Sequence, residues 1–430
     1  MFRATRANHG YRSQGPHGPS VTPSRRDHRR RGVAPTHLAF TGFLLVSLLA
    51  SSWLQGCAGV GRAYETTLVL GDVAAGDDDS FLKRRRPEPE REALEYRVED
   101  REYVADIYRP AQPRRGHMLL VHGFTEEGRR DPRLASFART LARVGFTVFV
   151  PEVDGLRDYS ISSREVEVLA DALRFSTGEE GPAAGEHSAV LAFSLAVGPA
   201  MLAAKEPDVA GRVSFIVAVG GYYDLPDTLR YVTTGVDAGS GEARPPPPQR
   251  EGRWAVLLSQ LHWLESDQDR ELLERMAQRR LESADAPVHD LRRQLGEEGR
   301  AVYSLVNNRD PEQLEALLAE LPERLEREIR SLDLSTRDLS RLEGDVILIH
   351  GPDDRVIPIS HSERLEQALP DQHRTWFYRA GGLGHVDVTP GLRDGVGLWR
   401  ATWRVLREGE RQAATTDLPR DSASLHTMQP

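Results

Sequence analysis

The sequence has little cysteine and little lysine. Cys57 is the only cysteine, so the chain cannot form an intramolecular disulfide. Lys83 and Lys205 are the only lysines, and arginine carries the rest of the positive charge, which we attribute to genomic G and C bias. Acidic residues outnumber basic ones, 65 to 56, giving a formal net charge of −9. This balance argues against a general nucleic-acid-binding surface.

Long apolar runs are equally scarce, and the one that stands out lies near the N-terminus. Residues 1–37 are rich in arginine, and residues 38–54 are uncharged and mostly apolar. A basic region followed by an apolar core is typical of a secretory signal. The run is slightly short of the roughly 20 residues of a membrane-spanning helix, so an uncleaved anchor is the alternative. The basic region is long, which leaves a start downstream of Met1 open.

The apolar run ends at Leu54-Gln55-Gly56-Cys57, which resembles a bacterial lipobox. The resemblance implies a signal peptide at 1–56 and a lipid anchor on Cys57. It also implies an exported protein of the cell envelope with the membrane as its partner, in the outer membrane if the source is Gram-negative, because Ala58 follows the cysteine. The alternative for a lone cysteine is a small buried apolar side chain.

Ser194 is the strongest candidate for a catalytic residue. A strand-like run, Ala189-Val-Leu-Ala-Phe193, ends on this serine, and small helix-compatible residues follow it. A sharp strand-to-helix turn would expose the hydroxyl, as in a nucleophile elbow. Ala192 and Ala196 stand where that turn usually has glycine. The alternative is a serine that caps a helix.

Partners for a nucleophilic serine follow in the order serine, acid, histidine. The segment 345–351 has the pattern of a buried parallel strand, and Asp353 and Asp354 come directly after it. A further strand-like segment leads into a glycine-rich loop that ends at His385. Carboxylates past the C-terminal end of a strand lie at the sheet edge where α/β active sites form.

These segments together resemble the α/β-hydrolase superfamily over about residues 94–408. The matching motifs are His122-Gly123-Phe124, Ala192-Phe193-Ser194-Leu195-Ala196, His350-Gly-Pro-Asp-Asp354-Arg-Val-Ile-Pro358 and Gly384-His385. The resemblance implies a triad of Ser194, Asp354 and His385, with Asp354 preferred over Asp353. It also implies an oxyanion hole formed by the backbone N–H groups of Phe124 and Leu195. His122 is expected to be structural.

Strands and helices alternate along this region, which predicts an α/β-hydrolase fold: a mostly parallel central sheet flanked by helices, with a helical cap insertion. The predicted organisation is listed in chain order: signal peptide 1–56, flexible tether 57–93, hydrolase core 94–224 and 344–408, helical cap insertion 225–343 and disordered tail 409–430.

The insertion contains two predicted helices, at Glu271–Leu281 and Pro311–Ile329. Leucines fall on one face of the second, where they form either a substrate wall or ordinary packing, and we favour packing. Four aromatic residues are candidates to line a pocket beneath the insertion: Trp254, Trp263, Tyr222 and Tyr223.

The sequence therefore predicts a serine hydrolase that cleaves a carboxylic ester or related acyl bond of a small molecule. No metal or organic cofactor is expected, nor a nucleic acid or an obligate protein partner. Two alternatives stay open. One is a non-catalytic binding protein on the same scaffold, which the alanines beside Ser194 favour. The other is an acyltransferase that passes the acyl group to an acceptor other than water.

Overall fold

The computed structural model describes residues 56–239, 242–243, 252–258, 260–381, 383–384 and 395–416. The strands are Glu90–Val98 (β1), Arg101–Arg109 (β2), Arg115–Val121 (β3), Phe146–Pro151 (β4), Ser188–Phe193 (β5), Val213–Val219 (β6), Val236–Asp237 (β7), Glu242–Ala243 (β8), Asp345–His350 (β9) and Thr375–Arg379 (β10). The helices are Gly56–Ala75 (α1), Phe81–Arg85 (α2), Pro132–Arg143 (α3), Asp154–Arg157 (α4), Ser163–Thr177 (α5), Val197–Ala204 (α6), Leu225–Thr234 (α7), Gly252–Leu258 (α8), Asp267–Glu282 (α9), His289–Arg292 (α10), Glu297–Val306 (α11), Leu314–Ala319 (α12), Glu323–Ser331 (α13), Ser360–Ala368 (α14) and Gly395–Thr416 (α15).

Eight strands form one twisted sheet in the order β1-β2-β4-β3-β5-β6-β9-β10. The pairs β1–β2 and β2–β4 are antiparallel, and the pairs from β4 to β10 are parallel. Helices cover both faces, as a parallel sheet requires. The predicted fold class, an α/β-hydrolase fold, is confirmed.

Both faces of the sheet are buried because successive side chains of a strand point to opposite sides. In β3, Leu119 and Val121 join the apolar core beneath α5 and α6. Met118 and Leu120 join the core beneath α3 and α15. This two-sided burial explains why the central strands read as continuous apolar runs.

Side-chain caps mark the start of two core helices. Asp131 precedes Pro132 and accepts the backbone N–H groups of Arg133 and Leu134, which begins α3. Ser162 accepts the N–H of Arg164 and begins α5. Such caps satisfy the backbone donors that a helix leaves open at its first turn.

The helical insertion lies between β6 and β9 and runs from α7 to α13 with the short β7–β8 hairpin. One detail of the prediction is wrong: Pro311–Ile329 is not a single helix. It consists of a 3₁₀ turn at Pro311–Gln313, then α12 and α13. Pro322 lies between the two helices, and proline lacks the N–H that would continue the first one.

The segment 57–93 differs from the tether that its composition predicts. It contains α1, α2 and the start of β1. Glu65 of α1 is the reason, since it binds the guanidinium groups of Arg86, Arg114 and Arg115, while Val69 joins the apolar core. Charged residues whose sequence pattern suggests exposure to solvent therefore form ion pairs with distant parts of the chain.

The C-terminal segment also differs from its prediction, in part. Helix α15 continues to Thr416, past the predicted tail boundary at 409. Gln412 donates to the backbone carbonyls of His117 and His187, which fixes this helix against the sheet. The rest of the predicted tail, residues 417–430, and the predicted signal segment lie outside the described residues.

Candidate active site

Ser194 lies at the corner between β5 and α6, in a 3₁₀ turn at Ser194–Ala196. Its φ is 56°, in the left-handed region that residues other than glycine seldom adopt. Such a conformation costs about 1–3 kcal/mol and persists only where the surrounding structure enforces it. The serine is half-buried at the edge of the sheet. This is the strand–turn–helix arrangement of a nucleophile elbow.

The two alanines of the elbow are fully accommodated. Ala192 and Ala196 are buried at 1% and 0% exposure. The close backbone approach occurs elsewhere. A Cβ on Gly198 would lie 1.9 Å from the hydroxyl of Tyr222, and one on Gly221 would lie 2.5 Å from Val197. The close approaches around this elbow thus involve Gly198 of α6 and Gly221 after β6, while both alanines are buried.

The loop that follows β3 reaches the same corner. Strands β3 and β5 are parallel neighbours, with Val121 opposite Ala192. A Cβ on Gly123 would lie 4.0 Å from that of Phe193, directly before the serine. The predicted oxyanion donors follow closely: Phe124 comes directly after Gly123, and Leu195 comes directly after Ser194.

His122 lies beneath this loop and is buried at 1% exposure. Its Nδ1 lies 2.8 Å from the Gly123 carbonyl, and its Nε2 accepts the Val153 N–H. Burial lowers the pKa of His122 to about 4, which keeps the ring neutral. Both nitrogens serve the backbone, in agreement with a structural role.

The two aspartates after β9 have different environments. Asp353 is exposed, whereas the side chain of Asp354 is fully buried. Oδ1 of Asp354 accepts the N–H groups of Val356 and Ile357 at 2.8 and 2.9 Å. Its Oδ2 lies 3.4 Å from Nε2 of His350. These contacts hold a carboxylate at the C-terminal edge of the sheet.

His385 lies outside the described residues, but the chain leading to it is described as far as Gly384. The Ala380 N–H donates to the His350 carbonyl. A Cβ on Gly351 would lie 1.9 Å from the Leu383 carbonyl oxygen and 3.0 Å from that of Gly384. The residue before His385 is thus packed against the loop that carries Asp354.

A second buried histidine, His361, escaped the sequence analysis. It lies at the start of α14, and its Nδ1 accepts the N–H groups of Tyr223 and Asp224. Its Nε2 lies 3.5 Å from Asp227, which also pairs with Arg364. Burial holds the pKa of His361 well below its ordinary value. This neutral ring joins α14 to the first insertion helix.

A narrow cavity of about 50 Å³ extends from the elbow into the insertion. Leu195, next to the nucleophile candidate, forms part of its wall. The other residues along it are mostly aliphatic: Ile161, Leu225, Thr228, Leu229, Val232, Thr233, Arg253, Leu257, Gln260, Val302, Leu305, Val306, Leu325 and Ile329. The insertion therefore encloses a cavity whose wall includes the residue that follows Ser194.

The four aromatic candidates do not line this cavity. Tyr222 is buried and donates to the Leu332 carbonyl at 3.0 Å, and Trp254 is buried at 1% exposure. Of the leucine stripe, Leu325 alone reaches the cavity, in line with the packing interpretation. The sequence analysis did not identify Arg253, which lines the cavity. The available signal was its position directly before an apolar helical run, Trp-Ala-Val-Leu-Leu, which places a charge next to a buried segment.

Two further properties concern the described part of the chain. Within it, no three histidine, cysteine, aspartate or glutamate side chains are grouped so that they could hold a metal ion. None of the helices there has the length and apolar character needed to traverse a bilayer.

Comparison with known proteins gives no family assignment. No protein-family profile matches the chain, and no curated protein matches it in sequence. Among solved structures, a hyperthermophilic esterase from Pyrobaculum calidifontis aligns with a TM-score of 0.43 and 14% identity, over 82% of this chain and 93% of that one.

Two other solved structures align at a similar level. A dienelactone hydrolase from Anabaena variabilis gives a TM-score of 0.39 and 14% identity, over 74% of this chain and 97% of that one. The acylaminoacyl peptidase of Pyrococcus horikoshii gives a TM-score of 0.40 and 10% identity, over 76% of this chain. This chain spans only 41% of that peptidase.

Proposed function

We propose that this protein is a serine hydrolase that cleaves a carboxylic ester of a small molecule, with Ser194 as nucleophile. The observation that carries the proposal is the left-handed backbone of Ser194 at the corner between β5 and α6. Strain at a non-glycine residue on the C-terminal edge of a parallel sheet is a feature of functional sites. A serine that only caps a helix has extended backbone and no such strain.

In the proposed reaction the Ser194 hydroxyl attacks the ester carbonyl and His385 takes its proton. Asp354 orients the imidazole, a role that its burial and fixed hydrogen bonds support. The N–H groups of Phe124 and Leu195 stabilise the oxyanion. The alcohol leaves with the proton from His385. Water, deprotonated by His385, then attacks the acyl-enzyme and releases the acid and Ser194. The proposed chemistry uses these side chains alone.

We also propose that the protein is exported and anchored to the cell envelope through a lipid on Cys57. The lipobox-like sequence and the basic and apolar segments before it support this localisation.

The test of the reaction is labelling by a fluorophosphonate probe together with hydrolysis of short esters. Ser194→Ala should abolish labelling and lower kcat by about 10⁴–10⁶-fold, as in other triad enzymes. Ser340→Ala is the matched control, since Ser340 is exposed and far along the chain from the elbow. A folded wild type that neither labels nor cleaves any ester would refute the proposal and favour a non-catalytic binding protein.

A further inference from the structure

The wall of the cavity that includes Leu195 is mostly aliphatic and contains one charged side chain, Arg253, and the uncharged polar side chain of Gln260. Thr228 and Thr233 also contribute, but their hydroxyls donate to the carbonyls of Asp224 and Leu229 within their own helix. Arg253 differs from them, because it is 7% exposed and its Nε has no hydrogen-bond partner among the described residues.

Arg253 is exceptional among the buried arginines of the described chain. The other three, Arg115, Arg129 and Arg143, each pair with at least two carboxylates. No carboxylate among the described residues pairs with Arg253. A buried guanidinium without a counter-charge is unfavourable, because burial removes its hydration and nothing replaces it. This charge lies in the wall of the cavity that also includes Leu195.

The position of the cavity suggests which anion pairs with Arg253. Leu195 forms part of the wall and follows Ser194 directly, so a group bound in the cavity lies near the candidate nucleophile. The aliphatic side chains along the cavity wall suit an aliphatic chain of the substrate, since burial of each CH₂ contributes about 0.8 kcal/mol. The chain must be short, because the cavity has a volume of only about 50 Å³.

We propose that Arg253 binds a carboxylate carried by the substrate at the end of a short aliphatic chain. The substrate class is then a short ester with a free carboxylate, such as a monoester of a dicarboxylic acid. Guanidinium and carboxylate form paired hydrogen bonds, and the contact supplies a counter-charge that the described residues do not provide. The inference rests on the proposed hydrolase activity and adds a substrate class to it.

The test compares monomethyl glutarate with methyl pentanoate, which has the same carbon backbone but no charge. Wild type should have the higher kcat/KM for the charged ester. Arg253→Met should lower that value on the order of 10²-fold and leave methyl pentanoate unchanged or improved, since truncation of one partner of a buried charge pair removes this much binding. Arg253→Lys should retain an intermediate preference.

The control variant is Arg275→Met, which removes a positive charge from the exposed side of α9 and should leave kcat/KM for both esters unchanged. A second readout needs no catalysis. Glutarate should raise the melting temperature of wild type and not of Arg253→Met. Without ligand, Arg253→Met should melt no lower than wild type, because it removes a buried charge that has no partner among the described residues.

Several results would overturn the proposal. One is an equal loss on both esters in Arg253→Met, which would indicate a structural role. Another is a wild type that labels with fluorophosphonate but does not prefer the charged ester. A preference for 4-acetoxybutyrate over butyl acetate, abolished in Arg253→Met, would support the carboxylate contact and assign it to the alcohol side. If wild type neither labels nor cleaves any ester, the hydrolase proposal itself fails.

Discussion

At the residue scale, Ser194 holds a conformation that its own side chain disfavours. The preceding strand and the following helix impose it, because β5 lies between β3 and β6 and cannot shift along the sheet without breaking both ladders. The small residues that make room for this turn are spread over four positions: Ala192, Ala196, Gly198 and Gly221. A motif search restricted to glycines either side of the serine would miss this arrangement.

The environments of Asp353 and Asp354 give a prediction at the same scale. Asp354→Asn keeps the Oδ1 acceptor for the N–H groups of Val356 and Ile357 but removes the charge. It should therefore fold normally and lose about 10⁴-fold in kcat, as triads do when their acid is neutralised. Asp353→Asn, at an exposed position, should stay within twofold of wild type, a bound we base on the small effects of surface substitutions.

Ester hydrolysis rates and circular dichroism of both variants provide the measurement. A large loss of ester hydrolysis in Asp353→Asn, together with an active Asp354→Asn, would assign the acid of the triad to Asp353.

At the scale of elements, α1 is held to the body by charge as much as by apolar contact. Glu65 meets three arginines from two other segments, and Arg62 pairs with Glu410 of α15. Burial raises the pKa of the Glu65 carboxyl, but hydrogen bonds and charges from Arg114 and Arg115 outweigh it and hold the pKa below its ordinary value. The ionised carboxylate is thus part of the folded state.

Removal of that charge should destabilise the protein in a pH-dependent way. Glu65→Gln should lower the free energy of unfolding at pH 7 by about 1–2 kcal/mol, because it leaves arginines with fewer partners. A depressed pKa contributes stability above the ordinary glutamate value of about 4.3, and that stability is lost as the pH falls through the folded-state pKa. The difference between variant and wild type should therefore shrink on acidification.

Urea titrations at several pH values measure this difference. The matched control is Glu102→Gln, whose pair with Arg97 is exposed on both sides and should contribute little. A pH-independent deficit in Glu65→Gln would mean that packing, not charge, joins α1 to the sheet.

At the scale of the whole molecule, the absence of a long tether alters what an anchor at Cys57 would mean. Helix α1 begins at Gly56 and packs on the body, so a lipid on Cys57 would lie only a few residues from the folded domain. Val60 and Tyr64 on this helix are exposed apolar side chains, at 58% and 49%. An anchored molecule would thus hold its domain close to the bilayer surface.

Expression in a Gram-negative host tests the anchor. Wild type should partition into membranes and incorporate labelled palmitate, and Cys57→Ser should do neither, because the thiol is the acceptor of the lipid. Ser52→Ala, in the apolar run before the lipobox, is the control that should keep the label. Membrane-bound Cys57→Ser without label would favour the uncleaved anchor instead.

The sequence by itself determined the fold class and the core elements. The strand predicted over 345–351 is Asp345–His350 in the structure, one residue shorter, and β5 ends at the residue before Ser194 as predicted, since buried parallel strands are local signals in the sequence. The choice of Asp354 over Asp353 came from the family resemblance and stays a prediction.

Only the tertiary structure decided the features that depend on partners distant in the chain. The helix at Gly56–Ala75 exists where composition indicates a tether, because its charges meet arginines more than twenty residues away. The burial of Arg253 without a partner among the described residues likewise follows from the packing of insertion helices around the elbow. Local patterns fix which elements form, whereas the pairing of charges and the shape of cavities arise only when those elements are brought together.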